Sequence, residues 1–173
     1  VRINPFDSSK LWDFTTWTPD AILFLIGPND VFYDKSPSEF TNAKHVHARN
    51  ESRYHSADER ASAFVKGYLS LLKVYTDAYA HVAKKPVMVH VCGGSLNGLD
   101  SCSPTQNAIA QFNAEHSDGW VSQYTTVSQA HWNKINAGYG TSAYNGCDGH
   151  YNTKGHQVIA DDVLPDIRKF LGW

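Results

Sequence analysis

The strongest constraint in this sequence is one short run. Ala21-Ile22-Leu23-Phe24-Leu25-Ile26 is wholly apolar and is followed at once by Gly27-Pro28-Asn29-Asp30. A run apolar on both faces and stopped by turn formers fits a strand covered on both sides, as the strands of parallel sheets are. It is far short of the ~20 apolar residues that a membrane-crossing helix needs. Edge strands usually carry a lysine or a proline as protection, and this run carries neither, so its expected place is the middle of a sheet.

The rest of the chain alternates around that strand. Ser56-Ala57-Asp58-Glu59 has the form of a capping box. The apolar face Ala63, Phe64, Leu69, Leu72, Tyr75, Ala78 and Tyr79 extends a helix to about Ala83, with Lys84 and Lys85 suiting its C-terminal dipole and Pro86 stopping it. Residues 86–92 read as a second strand, and Ser103-Pro104 as the cap and first residue of a helix reaching about His116. Trp120 to Val127 reads as a third strand. Residues 128–149, with Gly138, Gly140, Gly146 and Gly149, read as a loop. Asn152 caps a last helix, which Pro165 is expected to kink or restart before Leu171. Residues 1–18 read as irregular and 31–56 as a long polar surface stretch. Strand and helix in alternation predict an α/β fold with a parallel sheet. The 173 residues suit one domain with a real core. Three strands make a thin sheet for so apolar a first strand. Its neighbours are therefore expected from a removed N-terminal segment or from a separate polypeptide.

Composition narrows the partners. Lys plus Arg number 15 against 17 Asp plus Glu, a formal charge of −2, which gives no electrostatic reason to expect nucleic acid or an anionic membrane. Hydrophobic residues at 42% and charged residues at 18% exclude wholesale disorder. Five Trp suit stacking on sugar rings, but filling of the core is the favoured reading. The chain opens Val1-Arg2-Ile3 without Met, as a processed or engineered product would.

Three cysteines, Cys92, Cys102 and Cys147, show no C-x-x-C spacing, so no zinc or redox motif is present. Cys92 and Cys102 bracket a Gly/Ser/Asn loop and are the candidates for an internal disulfide. The thiol left over then suits a link to another chain. Asn50-Glu51-Ser52 is an N-glycosylation candidate at Asn50. These features favour a secreted protein over an intracellular one with three buried thiols.

Ligands of parallel α/β sheets collect beyond the carboxyl ends of the strands. Asn29 stands at one such end, with a side-chain amide able to donate to an oxyanion. Asp148-Gly149-His150 precedes the last helix. There a carboxylate two residues from an imidazole can hold its Nδ1–H and leave Nε2 as a general base.

Taken together, Pro19-Asp20-Ala21 through Gly27-Pro28-Asn29-Asp30 and Cys147-Asp148-Gly149-His150-Tyr151-Asn152-Thr153-Lys154-Gly155-His156 resemble the SGNH (GDSL-type) hydrolase family. Leu11-Trp12-Asp13-Phe14 and Trp17-Thr18-Pro19-Asp20 look most like its carbohydrate-esterase branch, which includes secreted acetyl esterases. The resemblance implies a flavodoxin-like α/β/α sandwich and a serine esterase that needs no cofactor. It assigns the oxyanion role to Asn29, the base to His150 and the orienting acid to Asp148. The sequence departs from the family in three ways. The acid lies two residues before the histidine where three is common, Tyr151 stands where proline is common, and the Gly-Asp-Ser block bearing the nucleophile is absent before Gly27. The chain therefore resembles the C-terminal part of one SGNH domain. Its nucleophile would arrive on a second polypeptide, with Cys147 or another cysteine available to join the two.

Other chemistry is thinner. Gly93-Gly94-Ser95-Leu96-Asn97-Gly98 misses the G-x-S-x-G elbow by one position, and Ser101 and Ser142 have no supporting context. His45, His47 and His55, or Asp148, His150 and His156, match no zinc spacing. His90 reads as a core histidine, and His156 as a packing or capping residue of the last helix. The expected function is removal of a small acyl group, acetyl foremost, from a carbohydrate or similar alcohol. The alternative is a non-catalytic domain that binds a carbohydrate or a partner.

Overall fold

The computed structural model describes residues 2–4, 7–11, 13–26, 56–93, 102–136, 143–146 and 150–173. In chain order the elements are strands β1 (Arg2–Asn4), β2 (Asp7–Leu11) and β3 (Ala21–Phe24), helix α1 (Ala57–Ala78), strand β4 (Val87–Cys92), helix α2 (Cys102–Glu115), strand β5 (Ser122–Thr126), and helices α3 (Gln129–Asn136) and α4 (Thr153–Leu171). β1 and β2 pair antiparallel as a separate two-stranded ribbon, where the sequence suggested irregular chain. β3, β4 and β5 form a parallel sheet in that order. The α/β reading therefore holds.

β4 sits in the middle, and its alternation explains the layers. Met88, His90 and Cys92 point to α1 and α2, while Val87, Val89 and Val91 point to α3 and α4. On the first face Phe24 and Met88 pack with Tyr68, Leu72 and Tyr79 of the α1 region and Ala108 and Phe112 of α2. On the second, Val89 and Val91 pack with Trp132 and Ile135 of α3 and Ile159, Val163 and Ile167 of α4. The result is helix, sheet, helix in three layers.

Local chemistry sets the boundaries. Ser56 accepts the Glu59 N–H at 3.0 Å, as a capping residue should. α1 stops at Ala78, short of the expected Ala83. Lys85 Nζ donates to the carbonyls of Ala80 and Val82 at 2.8 Å each and turns the chain toward β4. α2 begins at Cys102, one residue before the expected cap, and Pro104 lies in its first turn, where a missing N–H costs no helical bond. α4 runs from Thr153 to Leu171 with Pro165 inside it on the exposed side, so the helix does not restart there. Gly172 ends α4 at φ 71°, a left-handed conformation that favours glycine.

A further expectation is corrected. The stretch 128–149 is not all loop, since α3 occupies Gln129–Asn136, with Trp132 and Ile135 buried on one face. β3 is shorter than the apolar run: it spans Ala21–Phe24 and, among the described residues, pairs only with β4. Leu23, Leu25 and Ile26 are 53%, 46% and 43% exposed, because no described element covers that end of the strand on the α3/α4 side or beyond its outer edge. No helix among the described residues is long and apolar enough to cross a membrane.

Candidate functional site at the C-terminal end of the sheet

β4 leads into the site. It ends at Cys92, which is disulfide-bonded to Cys102 at the start of α2, as the bracketing of the loop suggested. Gly93 follows and is buried under the indole of Trp132. A Cβ there would lie 2.8 Å from Trp132 Cε3 and closer still to two other ring atoms, so only glycine fits.

His150 lies in the segment that crosses this end. Gly146 N–H donates to the His150 carbonyl at 2.6 Å, Asn152 N–H donates to Tyr144 O at 2.9 Å, and Asn145 and Tyr151 form an isolated antiparallel bridge. Tyr151 meets Trp132 edge-on at 6.0 Å between ring centroids. The imidazole of His150 is exposed. Asn152 caps α4 as expected. Its Oδ1 accepts the N–H groups of Lys154 and Gly155, and its Nδ2 donates to the carbonyls of Ala143 and Asn145 at 3.0 Å each. Gly155 allows the close approach, because a Cβ there would stand 2.6 Å from Tyr144 O. His156 is exposed and meets Tyr151 edge-on, a packing role.

The remaining named candidates, Asn29, Asp148, Asn50, Cys147, Ser95, Ser101, Ser142, His45, His47 and His55, lie outside the described residues. Among the described residues no group of three His, Cys, Asp or Glu side chains is arranged to hold a metal.

A carboxylate–imidazole pair that sequence reasoning missed stands at the same end. His131 Nδ1 lies 2.7 Å from Asp162 Oδ1, and Asp162 Oδ2 accepts the Ser128 N–H at 2.8 Å. An ionised carboxylate only accepts, so Nδ1 of His131 carries the proton. Desolvation pushes the Asp162 carboxyl up, but hydrogen bonds from the Ser128 backbone and from the His131 and Ser128 side chains outweigh it and hold it below the usual range. The two residues are 31 apart on different helices, so no local motif announces them.

His90 is different in kind. It is fully buried, stacks on Phe24 with centroids 4.9 Å apart, and uses both nitrogens, Nδ1 with Tyr68 Oη at 2.7 Å and Nε2 with Ser122 Oγ at 3.2 Å. Burial lowers its pKa to about 4 and raises that of Tyr68. It is the core histidine the sequence suggested.

A solved structure described as "The active site of a carbohydrate esterase displays divergent catalytic and non-catalytic binding functions" superposes on this chain with a TM-score of 0.59 at 15% identity. The fold is carbohydrate-esterase-like. The superposition covers 94% of this chain but only 42% of that one, so this chain spans less than half the length of its structural neighbour. No family model and no curated protein matches the chain.

Proposed function

We propose that this chain is the base-bearing part of an SGNH-type serine esterase that removes a small acyl group, acetyl foremost, from a carbohydrate. The carrying observation is the position of His150: exposed, immediately before α4, at the carboxyl end of a parallel sheet in a carbohydrate-esterase-like fold. In this reading a serine on a second polypeptide attacks the ester carbonyl. His150 takes the serine proton and passes it to the leaving alcohol, and Asp148 orients the ring. Asn29 donates to the oxyanion, a contribution whose loss costs roughly 100- to 1000-fold in turnover. Water then attacks the acyl-enzyme carbonyl, His150 accepts its proton and returns it to the serine, and the acid leaves.

The sheet supports the second polypeptide. Leu23 of β3 and the adjoining Leu25 and Ile26 are exposed, and among the described residues no strand pairs with the outer edge of β3, which leaves a surface suited to one further parallel strand and a covering helix. A secreted setting, a glycan at Asn50 and an interchain link through Cys147 belong to the same proposal.

The test is hydrolysis of 4-nitrophenyl acetate by the complete assembly and by two variants. His150→Ala is expected to lower kcat by about ten-thousandfold or more while the protein stays folded. His131→Ala is expected to keep most of the activity. The reverse outcome would move the base to His131, and no turnover in the unsubstituted assembly would reject the esterase.

A second reading has one observation in its favour. Trp17 and Trp173 are the most exposed large apolar side chains described. Trp17 precedes β3, and Trp173 follows α4, whose Phe170 and Leu171 pack against the same core cluster as Ala21 and Val87, the first residues of β3 and β4. Rings so placed would suit a carbohydrate-binding domain, and binding to insoluble polysaccharide without turnover would favour it.

A further inference from the structure

The segment carrying His150 rests on α3. Asn145 Nδ2 donates to Ile135 O at 3.2 Å near the C-terminal end of that helix, and the Trp132 indole meets Tyr151, the residue next to His150. α3 is itself fixed on three sides. At its start Asp162 of α4 takes both the His131 ring and the Ser128 N–H. In its middle Trp132 lies against Gly93, where any side chain would displace it. Toward its end Ile135 is fully buried among Val89, Val91 and the α4 residues.

From this geometry we propose that Trp132 is a positioning residue for the His150 imidazole, a role that rests on His150 being the base. The side chain of His150 is exposed. Its placement is inherited from its backbone, and that backbone is held by the Gly146 and Asn152 hydrogen bonds and by Tyr151. Trp132 spans from the end of β4 to Tyr151, so it ties the segment carrying His150 to the central strand of the described sheet. A flat, wide ring is required. It must fill the space over Gly93 and still present an edge to Tyr151, which a smaller aliphatic side chain does not do.

The experiment compares Trp132→Phe, Trp132→Leu and Trp132→Ala in the complete assembly. Trp132→Leu and Trp132→Ala are expected to lower kcat for 4-nitrophenyl acetate by up to about 100-fold with KM within about twofold, because a displacement near 1 Å has that cost. Trp132→Phe keeps an edge for Tyr151 and is expected to recover most of the loss. Hydrogen exchange gives a readout that needs no turnover. The Gly146 and Asn152 amides are expected to lose about tenfold or more in protection in Trp132→Leu, while amides in α1 stay unchanged. Unchanged exchange at those two amides would overturn the proposal, as would a Phe variant as damaged as the Leu variant. An assembly that never turns over would reject the esterase, and the exchange arm would still decide what Trp132 holds.

Discussion

The two edges of the sheet are finished in opposite ways. β5 is Ser-Gln-Tyr-Thr-Thr, polar in composition, and its outer backbone is partly satisfied by a side chain. Asn113 of α2 donates Nδ2–H to Ser122 O and accepts the Ser122 N–H, both at 2.9 Å, so an amide stands where another strand would pair. Thr125, buried next to that edge, donates to Asp166 of α4 at 2.6 Å. β3 has no such device among the described residues. Its sequence is apolar, and beyond Phe24 the chain still exposes Leu25 and Ile26. Natural sheets close their edges with polar groups or cover them, and an open apolar edge is where a further strand adds. Among the described residues the contrast marks β5 as a finished edge and β3 as the edge on which the proposed second polypeptide would pair.

That contrast can be broken at either edge. The largest effect is expected from the double change Leu23→Lys and Leu25→Lys. It should abolish co-purification of the second polypeptide, and with it turnover, while the isolated chain melts within a few degrees of the original because both side chains already face water. Retained association would place the partner elsewhere.

The next effect is a pH dependence seated beside β5. His90 joins Tyr68 to Ser122, and its pKa of about 4 lies below the ordinary 6.5. Between those values the unfolded chain binds a proton that the folded chain refuses, so stability falls as the pH drops from 6.5 to 4, by at most roughly 3 kcal/mol. Urea midpoints of His90→Gln at pH 7 and pH 5 should differ less than those of the unsubstituted protein. An equal difference would detach the acid sensitivity from His90.

A smaller loss belongs to Asn113→Ala. Leaving the outward groups of Ser122 without their amide partner should cost about 1–3 kcal/mol in urea unfolding. It should also promote self-association at high concentration, read by light scattering. The smallest belongs to Lys73→Ala, which removes an exposed pair with Asp77 and should cost no more than about 0.5 kcal/mol.

Much of this was legible in the residues. Ser56, Pro86 and Asn152 mark where elements start or stop, and the apolar run 86–92 marks the central strand, because capping and periodicity are local. The site was less legible. α3 hides in a stretch noted for its glycines, since its buried face shows only Trp132 and Ile135. The His131–Asp162 pair joins residues on separate helices, and such pairing follows from packing and not from spacing. The partner of β3 on its outer side was not legible, because the order of strands in a sheet is a long-range property. A run of six apolar residues says that a strand wants cover, and not which chain supplies it.

The central claim is that the base stands on this chain and the nucleophile on another. It is tested most directly by treating the native assembly with a fluorophosphonate probe and weighing the separated polypeptides. The account predicts one covalent adduct on a serine of the accompanying polypeptide and none on residues 1–173, with labelling lost in His150→Ala. An adduct on Ser95 or any other serine of this chain, or no adduct in an intact assembly, would contradict it.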